Sequence, residues 1–334
     1  MLSGMDDPAL AVDLAGIGLR HPVLLAAGTA GTLDELSDVL DLSRVGGVVT
    51  KSMTREPRSG NATWRILPER SGMLNAIGLA NMGIDAFVRE VGPRVATMPC
   101  AVVGSVAGFS VAEYVEVAAA MEGVTALAGV ELNVSCPNVH GGVEFGVDVA
   151  ALSEVVREVR AVVKSKRLFV KLSPVAVGQP GIVALARAAI EPGGPCGGPN
   201  SRPGADVLCL CNTMPAMAID VERRRPKLSN RTGGLSGPAV HPVTLKIVHD
   251  VWRGVAKSTG TAIVGIGGVL RWEDAAAYVL AGASAVGMGT GLFADPRSPV
   301  KVGAGLRKWI GRQGKRGLGE LVGALEEPEV LAGA

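Results

Sequence analysis

Short runs of β-branched and aliphatic residues recur along the chain, and each is followed by a stretch in which apolar residues return every three to four positions. The runs are HPVLLAAG (21–28), GGVVTKS (46–52), CAVVGSV (100–106), GVELNVS (129–135), RLFVKLS (167–173), ADVLCLCN (205–212), TAIVGIG (261–267) and ASAVGMG (283–289). Helix-period segments lie near 32–41, 83–92, 180–190, 239–256, 272–281 and 299–311. Two more have explicit starts: Ser110 stands at capping-box spacing from Glu113 ahead of YVEVAAAM, and Asp148 opens VAALSEVVREVRAVVK. Parallel strands need crossover helices, and eight such units close into a filled cylinder. The pattern therefore predicts an α/β chain folded as a (β/α)8, or TIM, barrel, with residues 1–334 forming that single domain.

Two segments break the rhythm. Residues 53–82 and 213–238 are too long for simple connections, and both follow the C-terminal end of a strand, the face on which barrel sites are built. They are expected to be extended loops that carry function. A third segment, EPGGPCGGPNSRPG (191–204), precedes a strand and is nearly all Gly, Pro and polar residues, which predicts a mobile insertion on the opposite face.

Composition narrows the classes. A chain that is 48% hydrophobic with 46 glycines fits buried parallel strands joined by tight turns and excludes a disordered protein. A net charge of +2 leaves no nucleic-acid footprint, and the only basic cluster, Arg223 to Lys227, reads as a solvated loop. The start, MLSGMDDPAL, lacks the order of a signal peptide, and no apolar run reaches membrane-span length, so a cytoplasmic protein is expected. The five cysteines, at 100, 136, 196, 209 and 211, are odd in number and form no CxxC pair. Free thiols are expected, with no bound metal.

Polar residues stand out at the predicted strand ends: Lys51, Asn133, Cys136, Lys171, Asn212 and Thr213. An unpaired buried amide costs about 2–7 kcal/mol, so residues of this kind converging on one mouth must satisfy each other or a ligand. The last two strands end in GIGG (265–268) and GMGT (287–290), where glycine lets backbone N–H groups approach an anion, and barrels frequently bind phosphate there. Neither tract completes a dinucleotide fingerprint. In ELNVSCPNVHGG (131–142), Cys136 lies between Asn133 and Asn138, next to Pro137. A thiol is able to act as a general base, and paired amides bind a planar polar heterocycle. A nucleophilic cysteine is the competing reading, but it needs a base partner, and the nearby His140 sits in a glycine-flanked loop.

The tracts NVSCPNVHGGVEFG, NAIGLAN (75–81), NRTGGLSGPA (230–239), GIGGV (265–269) and GMGT resemble, in order and spacing, the dihydroorotate dehydrogenases, from about Leu14 to Pro299. The tract after the cysteine looks like class 1B, the NAD-linked subgroup. The resemblance implies oxidation of dihydroorotate to orotate in pyrimidine synthesis by an FMN in the barrel mouth. Its phosphate would rest on Gly267, Gly268, Gly289 and Thr290, with Gly237, Ala27, Ser52, Ser105, Asn133 and Cys211 also around the flavin. Lys171 would lie beside the ring, and Lys51 would touch flavin and substrate. Substrate would be held by Asn75, Ala76, Ile77, Gly78, Leu79, Asn133, Asn138, Asn212 and Thr213, while Cys136 removes a proton from carbon 5 as a hydride leaves carbon 6.

Three positions depart from the family pattern: Ala27 stands where serine is common, Ser105 where asparagine is usual and Cys211 where isoleucine is usual. Class 1B further implies a partner subunit with FAD and a [2Fe–2S] cluster, around a homodimer core in a heterotetramer. The chain itself has neither a cysteine cluster nor a dinucleotide fingerprint for that chemistry. Two rival readings are a dihydropyrimidine dehydrogenase-type catalytic subunit, which usually has histidine where Asn138 stands, and a non-redox barrel that binds a phosphorylated ligand.

Overall fold

The computed structural model describes residues 7–135, 145–174, 178–193 and 203–326. Its centre is a closed barrel of strands β1 (Val23–Leu25), β2 (Gly47–Val49), β3 (Ala101–Val106), β4 (Gly129–Asn133), β5 (Arg167–Leu172), β6 (Val207–Leu210), β7 (Ala262–Ile266) and β8 (Ala285–Met288). Each pairs in parallel with its successor, and β8 returns to β1 with Met288 opposite Leu25. Every residue of β1, β6 and β8 is buried, because one face of a barrel strand fills the interior and the other meets a helix. All eight expected strands are therefore present, and the chain is a (β/α)8 barrel.

The outer layer follows from local signals. Ser110 accepts from Glu113 N at 3.3 Å to start Val111–Glu122, and Asp148 accepts from Ala151 N at 2.7 Å to start Val149–Val162. The second helix buries Leu152, Val155, Val156 and Val159, spaced on one face, each contributing about 1.5–3 kcal/mol relative to exposure. Further helices span Ile182–Ile190, His241–Val251, Trp272–Leu280 and Ser298–Arg312. At the N-terminal end of the barrel, the buried Asp206 carboxylate accepts from Arg160 Nη1 at 2.9 Å and from Leu168 N at 2.8 Å, tying the start of β6 to β5. Residues 194–202 of the 191–204 insertion lie outside the described residues.

Two expectations change. The helix expected over 32–41 is a run of turns, followed only by one short turn at Leu42–Arg44. The Glu35 carboxylate takes the N–H groups of Thr32 and Leu33, and Ser37 N reaches Asp34 O at 2.8 Å, so the local polar groups close turns in place of a helical ladder. The long loops 53–82 and 213–238 are not merely loops. Their strands Ile66–Glu69, Gly72–Asn75, Met214–Met217 and Thr232–Ser236 form one four-stranded antiparallel sheet in which Asn75 pairs with Gly234. This sheet stands over the C-terminal ends of the barrel strands, since both segments leave the barrel there. No helix among the described residues is long and apolar enough to cross a membrane.

Candidate functional site

Between the small sheet and the barrel mouth lies a cavity of about 400 Å³. From β2 onward the chain contributes Lys51 and Ser52, from β4 Asn133, from β5 Lys171, and from the turn after β6 Cys211, Asn212 and Thr213. The small sheet and its approach add Asn75, Ile77 and Leu79, and Ala27 follows β1. Gly237, Gly267, Gly268, Gly289 and Thr290 line the remaining wall. The polar strand-end residues named above that fall within the described chain thus meet in one place.

The glycine wall is built for close approach. Gly267 and Gly268 have φ of +137° and +69°, and a Cβ on Gly268 would lie 2.7 Å from His241 Cβ and 2.9 Å from the Gly237 carbonyl oxygen. The turn is held from behind: Tyr278 donates to Gly267 O at 2.8 Å, and His241 Nδ1 lies 3.0 Å from the same oxygen. The Gly267 carbonyl is thereby occupied on the protein side. Thr290 donates to Ser236 Oγ at 2.6 Å, linking β8 to the small sheet.

The amides are wired together. Asn212 Nδ2 donates to Asn133 Oδ1 at 3.0 Å, Thr213 N donates to Asn212 Oδ1 at 2.9 Å, and Tyr114 Oη donates to the Asn133 carbonyl at 2.6 Å. Asn75 Nδ2 donates to Gly234 O at 3.3 Å, and Gly234 sits so close to Thr213 that any Cβ there would overlap its hydroxyl. Lys171 is only 7% exposed, and its ammonium makes no hydrogen bond or ion pair to another described residue. A buried cation beside a cavity, with no partner among the described residues, calls for an anionic or electron-rich ligand.

Three of the expected residues sit apart from the wall. Ala76 and Gly78 do not line the cavity; Gly78 has φ of +74° and packs against Asn61, so the two shape the turn that presents Ile77 and Leu79. Ser105 is completely buried, and its hydroxyl meets Ser52 Oγ at 2.9 Å and Glu131 Oε1 at 3.2 Å. Cys136 and Asn138 lie outside the described residues, although Ser135, next to Cys136, is tied to Ser173 Oγ at 2.8 Å. Burial keeps these described cysteines as protonated thiols: it pushes Cys211 up to about 12, against the opposing pull of Lys171, and raises Cys100 to about 11. Among the described residues no group of His, Cys, Asp or Glu is arranged to hold a metal ion.

Some wall residues had no sequence signal of their own. Arg65 and Met73 reach the cavity only because the two long loops pair. Ser236 was visible within the NRTGGLSGPA tract but not singled out. The Arg223 to Lys227 run is exposed apart from a half-buried Pro226, and Arg223 pairs with Asp220 at 3.3 Å, so the run is solvated as expected, but Arg225–Pro226 pairs antiparallel with Ile219–Asp220 and makes it a short hairpin, not a plain loop.

The family model for dihydroorotate dehydrogenase matches residues 9–310. A Geotalea daltonii protein named dihydroorotate dehydrogenase B (NAD(+)), catalytic subunit, is 43% identical over 323 residues, covering 96% of this chain and all of the relative. A protein of the same name from Bacteroides thetaiotaomicron is 42% identical over 318 residues, covering 95% of this chain and 99% of its own. The match runs through the barrel and the small sheet alike, and the chain belongs to the dihydroorotate dehydrogenase family.

Proposed function

We propose that this chain is the catalytic subunit of a class 1B dihydroorotate dehydrogenase, oxidising (S)-dihydroorotate to orotate in pyrimidine biosynthesis with FMN bound in the barrel mouth. The observation that carries this reading is one cavity whose lining brings together a glycine wall, linked asparagines and Lys171, which has no ion-pair partner among the described residues. The residues fit such a cofactor. Gly267, Gly268, Gly289 and Thr290 offer backbone N–H groups at two adjacent strand ends for a phosphate, and Gly237 leaves room beside them. Lys171 would face the flavin ring, with Ala27, Ser52 and Cys211 completing its bed. When bound, the flavin supplies the two-electron acceptor.

The chain's own groups then bind and orient the substrate. Asn133, Asn212 and Thr213 would meet its polar edge from below, and Asn75, Ile77 and Leu79 would close over it from the small sheet, with Ala76 and Gly78 holding that turn. Lys51 would stand between substrate and flavin, and Asn138 would add a further amide. Cys136, as thiolate, would take the proton from carbon 5 while the hydride leaves carbon 6, so that the carbon–carbon double bond of orotate forms. The Ser135 to Ser173 contact anchors the chain immediately before that thiol.

The names of the relatives, which call them NAD(+) catalytic subunits, support a partner subunit that passes electrons onward. We assign FAD and a [2Fe–2S] cluster to that partner, around a homodimer of this chain in the cytoplasm. Cys136→Ser tests the assignment of the base. The variant should retain flavin yet be reduced by dihydroorotate on the order of 10²–10⁴ times more slowly near neutral pH. Unchanged reduction kinetics would remove Cys136 from the reaction.

A further inference from the structure

Beneath the asparagines lies a carboxylate that no part of the reading above uses. Glu131, on β4 two residues before Asn133, is 1% exposed and points into the barrel, where Ser105 Oγ lies 3.2 Å from its Oε1. Ser105 Oγ is 2.9 Å from Ser52 Oγ, and Ser52 Oγ accepts from Asn133 Nδ2 at 3.4 Å. Asn133 Oδ1 accepts from Asn212 Nδ2 at 3.0 Å, and Asn212 Oδ1 accepts from the backbone N–H of Thr213 at 2.9 Å. Glu131 is thereby joined to the cavity wall by an unbroken chain of hydrogen bonds.

The direction of that chain is set from its Thr213 end. A backbone N–H only donates, so the Thr213 end requires the Asn212 oxygen, which turns the Asn212 amino group toward the Asn133 oxygen and the Asn133 amino group toward Ser52. Ser52 Oγ, accepting from Asn133, gives its own proton to Ser105, and Ser105 donates to Glu131 Oε1. Every donor points toward Glu131. Flipping either amide would set N–H against N–H, and reversing either hydroxyl would leave Glu131 or Ser52 with a mismatched neighbour.

We propose that Glu131, acting through Ser105 and Ser52, is a positioning residue that locks the Asn133 and Asn212 amides with their oxygens engaged and one N–H of each left for the cavity. The site so polarised selects a ligand edge made of acceptors, such as a ring carbonyl or a carboxylate. Burial and the neighbouring Glu131 carboxylate, to which the thiol is hydrogen-bonded, hold Cys209 well above its ordinary range, so Cys209 stays protonated and is a second donor to Glu131 beside Ser105. This inference rests on the substrate assignment of the preceding section.

The test is orotate binding to the flavin-loaded protein, followed by the change in flavin absorbance, in the wild type, Ser105→Ala and Glu131→Gln, with flavin content and thermal midpoint measured in parallel. Losing one directing hydrogen bond predicts an orotate Kd raised roughly five- to tenfold in Ser105→Ala at unchanged flavin content. Glu131→Gln should weaken binding at least about threefold, because its amide accepts but no longer enforces one direction. If the wild type binds orotate and Ser105→Ala binds it equally well, the relay has no role. Loss of flavin in Ser105→Ala would also overturn the proposal, by assigning the residue to the cofactor. A wild type that takes up flavin but not orotate would defeat the substrate assignment itself.

Discussion

Asn133 and Lys171 stand opposite one another in register at the C-terminal ends of β4 and β5, an amide tied into its neighbours beside an ammonium with no anionic partner among the described residues. The contrast separates their tasks. Asn133 is already oriented by the protein, whereas the charge of Lys171 is left for a ligand, and that arrangement has measurable consequences.

Lys171→Met removes this charge while filling similar volume. Because the ammonium has no partner among the described residues to lose, the flavin-free variant should be as stable as the wild type or more so. The flavin midpoint potential should fall, on the order of 30–60 mV for a two-electron couple if the charge is worth ~1.4–3 kcal/mol. An unchanged potential would place Lys171 away from the flavin ring.

Gly268→Ala tests the glycine wall. At φ of +69° any side chain is strained, by about 1–2 kcal/mol, and the added methyl would meet His241 and the Gly237 carbonyl. The expected outcome is a folded barrel with a slightly lower thermal midpoint that emerges from desalting with little flavin. Full flavin retention would contradict a phosphate site at this turn.

His21, near the start of β1, is buried with its Nδ1 accepting from Val23 N at 3.2 Å and its ring against Gly303 of the final helix. Burial, with the nearby Arg44 adding to it, lowers its pKa from 6.5 to about 4. Its neutral form is therefore favoured in the folded state. The unfolded chain binds a proton there between pH 6.5 and about 4 while the folded chain does not, so stability falls as pH drops through that window and levels off below it. The loss amounts to roughly 3 kcal/mol at about 1.4 kcal/mol per pH unit. Urea denaturation of wild type and His21→Asn across this range should show the variant with the shallower dependence; parallel curves would contradict the assignment.

Much of this architecture was readable from the chain. Runs such as RLFVKLS and ADVLCLCN were recognisable because barrel strands are buried on both faces, and Ser110 and Asp148 marked helix starts through their side-chain acceptors. The segment 32–41 misled because its apolar spacing suits a helix while Asp34, Glu35 and Ser37 close turns. The small sheet was hidden for a different reason. Asn75 and Gly234 pair across 159 residues, and strands such as GMLN and TGGLS carry no alternation to announce it. Within the site, lysines and asparagines at strand ends were conspicuous because barrel chemistry lies there. Glu131 was not, since one carboxylate inside a strand gains meaning only from the partners that the fold gives it.

Mixing the flavin-loaded chain with L-dihydroorotate in the absence of oxygen, and following flavin absorbance at about 450 nm, measures whether this mouth takes two electrons from dihydroorotate. Rapid bleaching, with one orotate formed for each flavin reduced, is the expected result. A fully loaded protein that dihydroorotate leaves yellow is not a dihydroorotate dehydrogenase.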